Sequence, residues 1–171
     1  MRVRVVPHNP EWRQEFQREA ERISASLGDT VATVHHVGST AIPTIYAKPI
    51  IDILLVVQDV TALDEKQPMM EALGYEALGE FGIPERRYFR RDNTSGDRTH
   101  QVHAFPNGSP QIHRHLAFRD YVIAHPDVAQ EYSDLKRDLA AKHPDDIEAY
   151  MDGKDEFIKA IDERGASVRS R

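Results

Sequence analysis

The chain has 171 residues and carries 22 Lys plus Arg against 28 Asp plus Glu, a formal net charge of −6. That length predicts one folded unit, since domains run to about 150 residues and a chain of this size buries roughly 70% of its unfolded surface without staples. The absence of cysteine excludes disulfides, thiolate metal sites and a cysteine nucleophile, and the acidic balance argues against a large nucleic-acid surface, which rests on Lys and Arg neutralising phosphates.

Arg2 to Val6 alternates polar and apolar residues and predicts a short strand, with no apolar core of a signal peptide. Pro7-His8-Asn9-Pro10 then opens a helix, Asn9 serving as cap and Pro10 suiting the first turn. Trp12, Phe16, Ala20, Ile23 and Leu27 recur every three or four residues, which buries one face, and Gly28 ends the helix. Val31 to Val37 is a β-branched strand carrying His35-His36, followed at once by Gly38-Ser39-Thr40. Ile50 to Val57 is nearly all apolar, the pattern of a strand covered on both faces. It is far too short to span a bilayer, so a soluble, cytoplasmic protein without a membrane partner is expected.

A helical pattern from Ala62 to Leu73 is interrupted at Pro68. Arg86 to Arg91 and Arg98 to Phe105 predict two strands joined by the turn Asp92-Asn93-Thr94-Ser95-Gly96-Asp97. From Ser109-Pro110 onward the chain is helical, and His125-Pro126 and His143-Pro144 divide three helices before a frayed tail from Gly165. The fold class is therefore α/β (α+β): a mixed sheet with flanking helices over residues 1–108, and a C-terminal helical region over 109–171 packed on it as one compact unit. That region repeats itself. His-Pro-Asp, Tyr132 and Lys136 return 18 residues later as His-Pro-Asp, Tyr150 and Lys154. Each Tyr meets its Lys one turn on, which fits either good helix-start chemistry or a paired ligand-facing role.

Asp52 stands inside Pro49-Ile50-Ile51-Asp52-Ile53-Leu54-Leu55-Val56-Val57. An ionised carboxylate in such a strand is costly unless it is paired, hydrogen-bonded or metal-bound; it marks a site, or it pairs at a strand end with Lys48 or an arginine. Gly38-Ser39, 14 residues earlier, lets backbone approach a ligand and offers N–H and hydroxyl groups to phosphate oxygens. His35 and His36 alternate across their strand, as do His100 and His103, so neither pair makes a metal site by itself, whereas Gln101 and His103 share a face. Arg86, Arg87, Arg90, Arg91, Arg98, Arg114 and Arg119 concentrate in the second half of an acidic protein, which points to an anion site or to an edge strand blunted by charge. Arg86 and Arg87 fall on opposite faces, so only one can line a given cleft.

His36-Val37-Gly38-Ser39-Thr40-Ala41-Ile42-Pro43, Lys48-Pro49-Ile50-Ile51-Asp52-Ile53, Thr99-His100-Gln101-Val102-His103 and His115-Leu116-Ala117-Phe118-Arg119-Asp120-Tyr121 together resemble the GrpB family over essentially the whole chain. The resemblance implies a nucleotidyltransferase-like fold, in which a Gly-Ser turn holds nucleotide phosphates and strand carboxylates hold divalent metal. Gly38 and Ser39 match the turn and Asp52 the first carboxylate. The sequence departs from the wider superfamily at Leu54, where a second carboxylate usually stands, and in Arg98 to Phe105, which holds His103 and Gln101 but no acid.

On this resemblance Asp52 and His103 are the expected catalytic and metal-holding residues, with Mg²⁺ or Mn²⁺ as cofactor. Gly38, Ser39, Thr40, Lys48, Arg87, Arg119, Tyr132, Lys136, Tyr150 and Lys154 are the expected nucleotide- or phosphate-binding set. The expected function is binding an NTP and transferring a nucleoside monophosphate to an unknown acceptor. The alternatives are a noncatalytic module for a nucleotide or a CoA-like phosphate, and a histidine-metal hydrolase built on His36, His103 and Asp52.

Overall fold

A computed structural model describes residues 3–169. Its five-stranded sheet comprises β1 (Val31–Val37), β2 (Ile51–Val57), β3 (Glu76–Ala77), β4 (Arg87–Asp92) and β5 (Arg98–Pro106), in the order β1-β2-β5-β4-β3. β2 pairs with β5 in parallel, while the β1–β2, β5–β4 and β4–β3 pairs are antiparallel. The sheet is mixed and flanked by helices on both faces.

The first face is covered by α1 (Trp12–Leu27), α2 (Val60–Glu65) and α3 (Gln67–Ala72). Alternate residues of β2 (Ile51, Ile53, Leu55 and Val57) join Phe89, Val102 and Ala104 beneath Trp12, Ile23, Leu27, Leu63 and Met70 in the main core. The helical period of α1 is the predicted one, and Asn9 acts where the chain enters it: its Oδ1 accepts from the Glu11 backbone N–H at 3.0 Å, in the turn that leads into the helix at Trp12. Pro68 acts as expected. It has no N–H to continue α2 and instead occupies the first turn of α3.

The second face is covered by α4 (Pro110–Ala124), α5 (Pro126–Lys142) and α6 (Ile147–Arg169). The Ser109 hydroxyl caps α4 by accepting from the Gln111 N–H at 3.3 Å. Pro126 begins α5, and the His143-Pro144 break precedes α6. Val37, Leu54 and Phe105 meet Ile112 and Leu116 of α4, and a further cluster ties Ile42 and Ile45 to Val122, Val128, Tyr132 and Ile161. A side chain at Gly153 would place its Cβ 2.6 Å from Leu139, so glycine lets α6 lie close on α5.

Three expectations change. The strand at the start shrinks to one bridge, Val6 to Ala47, and Met1 and Arg2 lie outside the described residues. β3, two residues long, was unpredicted because so short a segment shows no alternation. The tail expected to fray from Gly165 continues as helix to Arg169, with Ser170 and Arg171 outside the described residues. Among the described residues no helix is long and apolar enough to cross a membrane.

Candidate functional site

Asp52 is set by register. It lies opposite Val37 on β1 and Gln101 on β5, so its side chain emerges on the α4–α6 face between the two strands. The chain then has to turn over it. Gly38 has φ of 74°, and a Cβ there would stand 2.5 Å from the Asp52 Oδ2. Backbone conformation and the adjacent carboxylate each require glycine at this position. The following 3₁₀ turn, Ser39–Ala41, is tied to α5 by the Ser39 hydroxyl, which donates to the Tyr132 Oη at 3.2 Å.

His103 holds the carboxylate. Its Nε2 lies 3.2 Å from the Asp52 Oδ1, and its Nδ1 lies 3.3 Å from the Arg86 Nη1. A guanidinium only donates, so Nδ1 must accept, and the hydrogen-bond network assigns the ring proton to Nε2, directed at Asp52. Arg86 is itself fixed: it is 7% exposed, lies 4.8 Å over the Tyr88 ring, and donates to the Phe81 carbonyl at 2.9 Å. Both nitrogens of His103 are thus engaged, and the ring fixes the orientation of the Asp52 carboxylate. Burial works to raise the Asp52 pKa, but the His103 hydrogen bond and the Lys154 and Lys48 charges outweigh it and hold the carboxyl below its ordinary range. A quarter of the Asp52 side chain remains accessible, with 25% relative exposure.

Two adjoining chambers flank this carboxylate. One, of about 340 Å³, is lined by Gly38, Ser39, Asp52, Arg86, His103 and Tyr132, with His115, Lys154 and Asp155 closing it from the helices. Burial, with the Arg114 and Arg86 charges nearby, pushes the His115 pKa down to about 3, so its ring is neutral. The other chamber, of about 230 Å³, is lined by Ser39, Lys48, Asp52, Arg98, Tyr150 and Lys154. Lys48 Nζ stands 5.3 Å from the Tyr150 ring centroid and Lys154 Nζ 6.0 Å from it, while Lys136 Nζ is 4.1 Å over Tyr132. Burial first, then repulsion from Lys154, lowers Lys48 to about 8 and Lys136 to about 6. Burial raises the phenols of Tyr132 and Tyr150, the latter to about 12, so both keep their protons.

The structure therefore brings together Gly38, Ser39, Lys48, Asp52, His103, Tyr132, Tyr150 and Lys154, with Lys136 buried against Tyr132. Three residues of the expected set lie elsewhere. Thr40 is buried, its hydroxyl bonded to His36 Nε2 at 2.8 Å. Arg119 pairs with Asp120 and donates to the His36 carbonyl at 3.0 Å, lining a separate groove with His8 and His35. Arg87 points to the α1–α3 face and grips Asp64 at 2.7 and 3.1 Å; Arg86 is the arginine of that pair on the cleft side.

The histidine-metal reading fails on geometry. His36 stacks on Phe16 of α1 at 4.8 Å, on the face opposite Asp52. Among the described residues no three His, Asp or Glu side chains gather to hold a metal. The sequence reading missed Asp155 and the part played by His115 and Asp162. A signal for one exists: Tyr150, Lys154, Ile158 and Asp162 follow at four-residue steps, one stripe of α6 facing the cleft.

Comparison with known proteins bears on the whole of this arrangement. The family model described as GrpB protein matches residues 2–164. The UPF0157 protein YqkA of Bacillus subtilis is 46% identical over 162 residues, covering 95% of this chain and 47% of that protein. A protein of Mycolicibacterium paratuberculosis named dephospho-CoA kinase is 31% identical, covering 92% of this chain and 44% of its own length. The chain thus spans about half the length of these two relatives. The crystal structure of the conserved protein GrpB from Enterococcus faecalis superposes with a TM-score of 0.92 at 40% identity, covering 98% of this chain and all of that one. Cid1 poly(U) polymerase superposes with a TM-score of 0.48 at 12% identity, covering 77% of this chain and 45% of that one.

Proposed function

The chain belongs to the GrpB family, and on that premise we propose that its cleft binds a nucleoside triphosphate and transfers the nucleoside monophosphate to an acceptor. One observation carries this reading: an ionised carboxylate, Asp52, is held against the Gly38-Ser39 turn and faces Lys48 and Lys154 across a shared chamber. The turn offers close backbone approach for phosphate oxygens and the lysines offer countercharge, as phosphoryl chemistry requires. The acceptor's nucleophile would attack the α-phosphorus, the bond to the β-phosphate's bridging oxygen would break, and pyrophosphate would leave.

A two-metal centre does not fit the residues present, because Leu54 is fully buried among Val37 and Phe105 and, among the described residues, Asp52 is the one strand carboxylate that lines the cleft. One Mg²⁺ or Mn²⁺ fits. Such ions bind readily through one or two carboxylates together with substrate phosphates, and here Asp52 would be the protein ligand. When bound, the ion neutralises phosphate charge. Calorimetric titration with ATP, GTP, CTP and UTP, with and without Mg²⁺, tests the reading. The expected result is that Mg²⁺ tightens at least one NTP about tenfold or more, and that Asp52→Ala removes the gain. An equal gain in Asp52→Ala would overturn the assignment.

A second reading is favoured by Leu54 itself. Without a second strand carboxylate the cleft is a noncatalytic module that binds a nucleotide or CoA-like phosphate. It calls for binding that survives chelation of metal and for no transfer to any acceptor.

A further inference from the structure

Lys48, Lys136 and Lys154 gather at one end of the cleft, and the two aromatic rings of Tyr132 and Tyr150 lie between them. The arginines at the cleft mouth have partners: Arg98 meets Asp92 at 2.6 Å and Arg114 meets Asp162 at 3.4 Å. None of the three lysines forms an ion pair among the described residues. Lys136 is 1% exposed, and its Nζ has no hydrogen-bond acceptor. Buried donors are normally satisfied, and leaving an ammonium without a partner is costly.

We propose that the lysine end of the cleft is a site for a phosphate chain carrying three or more negative charges, and that the chain binds together with a proton. This rests on the nucleotide-binding reading and specifies the charged part of its ligand. Asp155 and Asp162 line one chamber with Lys154, Asp162 being paired with Arg114, and no carboxylate comes within ion-pair distance of any of the three lysines. Lys136 on α5 meets Tyr132 of its own helix and the Lys154 charge from α6. Lys48 meets Tyr150 and Met151 of α6, the Lys154 charge, Arg98 of β5 and Asp52 of β2. Asp52 is the carboxylate facing Lys48, and His103 already donates to it.

Proton coupling follows from the same packing. Burial beside Lys154 holds Lys136 at about 6, so its amine is neutral at pH 8, and the same causes lower Lys48 to about 8. An incoming polyanion favours the ammonium forms and draws a proton from solvent. Affinity then falls as pH rises from about 6, because each step demands more proton uptake on binding.

The test is calorimetric titration with sodium tripolyphosphate, and separately with ATP, at pH 8 without divalent metal, in buffers of different ionisation enthalpy. Wild-type protein and Lys136→Met are compared, so that protons exchanged by the probe itself cancel. The expected result is that wild-type protein takes up roughly one proton more per ligand than the variant. Equal proton exchange in the two proteins, or no binding of tripolyphosphate, overturns the proposal. Should Lys136→Met not fold, wild-type protein alone decides: a binding enthalpy for tripolyphosphate that shows no proton uptake in any buffer overturns it. Proton-coupled tripolyphosphate binding without binding of any NTP would sink the nucleotide reading and leave this one standing. Nucleotide binding without the excess proton would do the reverse.

Discussion

Two buried polar clusters lie on opposite faces of the same sheet, and they differ in completeness. On the α1–α3 face, Glu19 accepts from Arg91 at 2.7 Å, Tyr75 at 2.7 Å and Arg22 at 2.9 Å, and Arg91 reaches on to His100 at 3.1 Å. Each member has a partner. On the α4–α6 face, Lys48, Lys136 and Lys154 share two aromatic rings, and none of them forms an ion pair among the described residues. A closed cluster stabilises the fold and has nothing left to offer a ligand. An open one leaves a buried donor unmet, which an anion can meet.

Breaking the closed cluster should have the largest effect. Glu19→Ala strands Arg91 in the core and should cost about 3–5 kcal/mol, seen as a fall in thermal midpoint, with ligand affinity of the folded fraction unchanged. Burial alone would raise Glu19, but Tyr75 and Arg91 outweigh it and its folded pKa is lowered. Its stabilisation is therefore present above the ordinary carboxylate range and is lost as pH falls through the folded value, which acid titration of stability in wild type against Glu19→Ala would show.

Gly38→Ala comes next. With φ of 74° and ψ of −171° the backbone is one that essentially glycine alone adopts, costing about 1–3 kcal/mol for another residue, and the added methyl must displace the Asp52 carboxylate. Both stability and metal-dependent nucleotide binding should fall. Retained binding at wild-type affinity would show that Asp52 can leave its place without consequence.

Lys136→Met runs the other way. The folded pKa is lowered, so between about 6 and the ordinary lysine value the unfolded chain binds the extra proton and the native state is penalised. Removing the amine should stabilise the protein by roughly 1–4 kcal/mol near pH 6, with the gain shrinking toward pH 10. Chemical denaturation of both proteins across that range is the check.

The smallest effect belongs to Arg87→Ala, which removes a bidentate pair with the half-exposed Asp64. It should cost less than about 1 kcal/mol and leave ligand affinity untouched. Arg86→Ala should weaken binding by releasing His103 from its fixed orientation.

This contrast between neighbouring arginines marks what the sequence could and could not convey. Alternation separated Arg86 from Arg87, because side chains on a strand change faces at every step. Which face held the cleft depended on where α4–α6 would pack, and that is tertiary information. The helices themselves were legible, since His125-Pro126, His143-Pro144 and Pro68 act through local backbone constraints. Asp52 was legible because a charge inside an apolar strand is conspicuous. Thr40 and Arg119 were not separable from the site by sequence, because both flank it in the chain and turn away only through contacts with His36. The burial of Glu19 was equally hidden: a glutamate on a helix gives no sign that Arg91, 72 residues on, will cover it.

The central claim is that the open cluster and Asp52 form a nucleotide site, and a thermal-shift series tests it most directly. Wild-type protein is heated with each NTP, with CoA and with dephospho-CoA, each with and without Mg²⁺. A ligand at a hundred times its Kd adds about 2.7 kcal/mol, which for a chain of this size is a shift of roughly 5–10 °C. The expected result is a shift of that size with an NTP, enlarged by Mg²⁺. No shift with any NTP at millimolar concentration, alongside an unchanged midpoint in Mg²⁺, would contradict it.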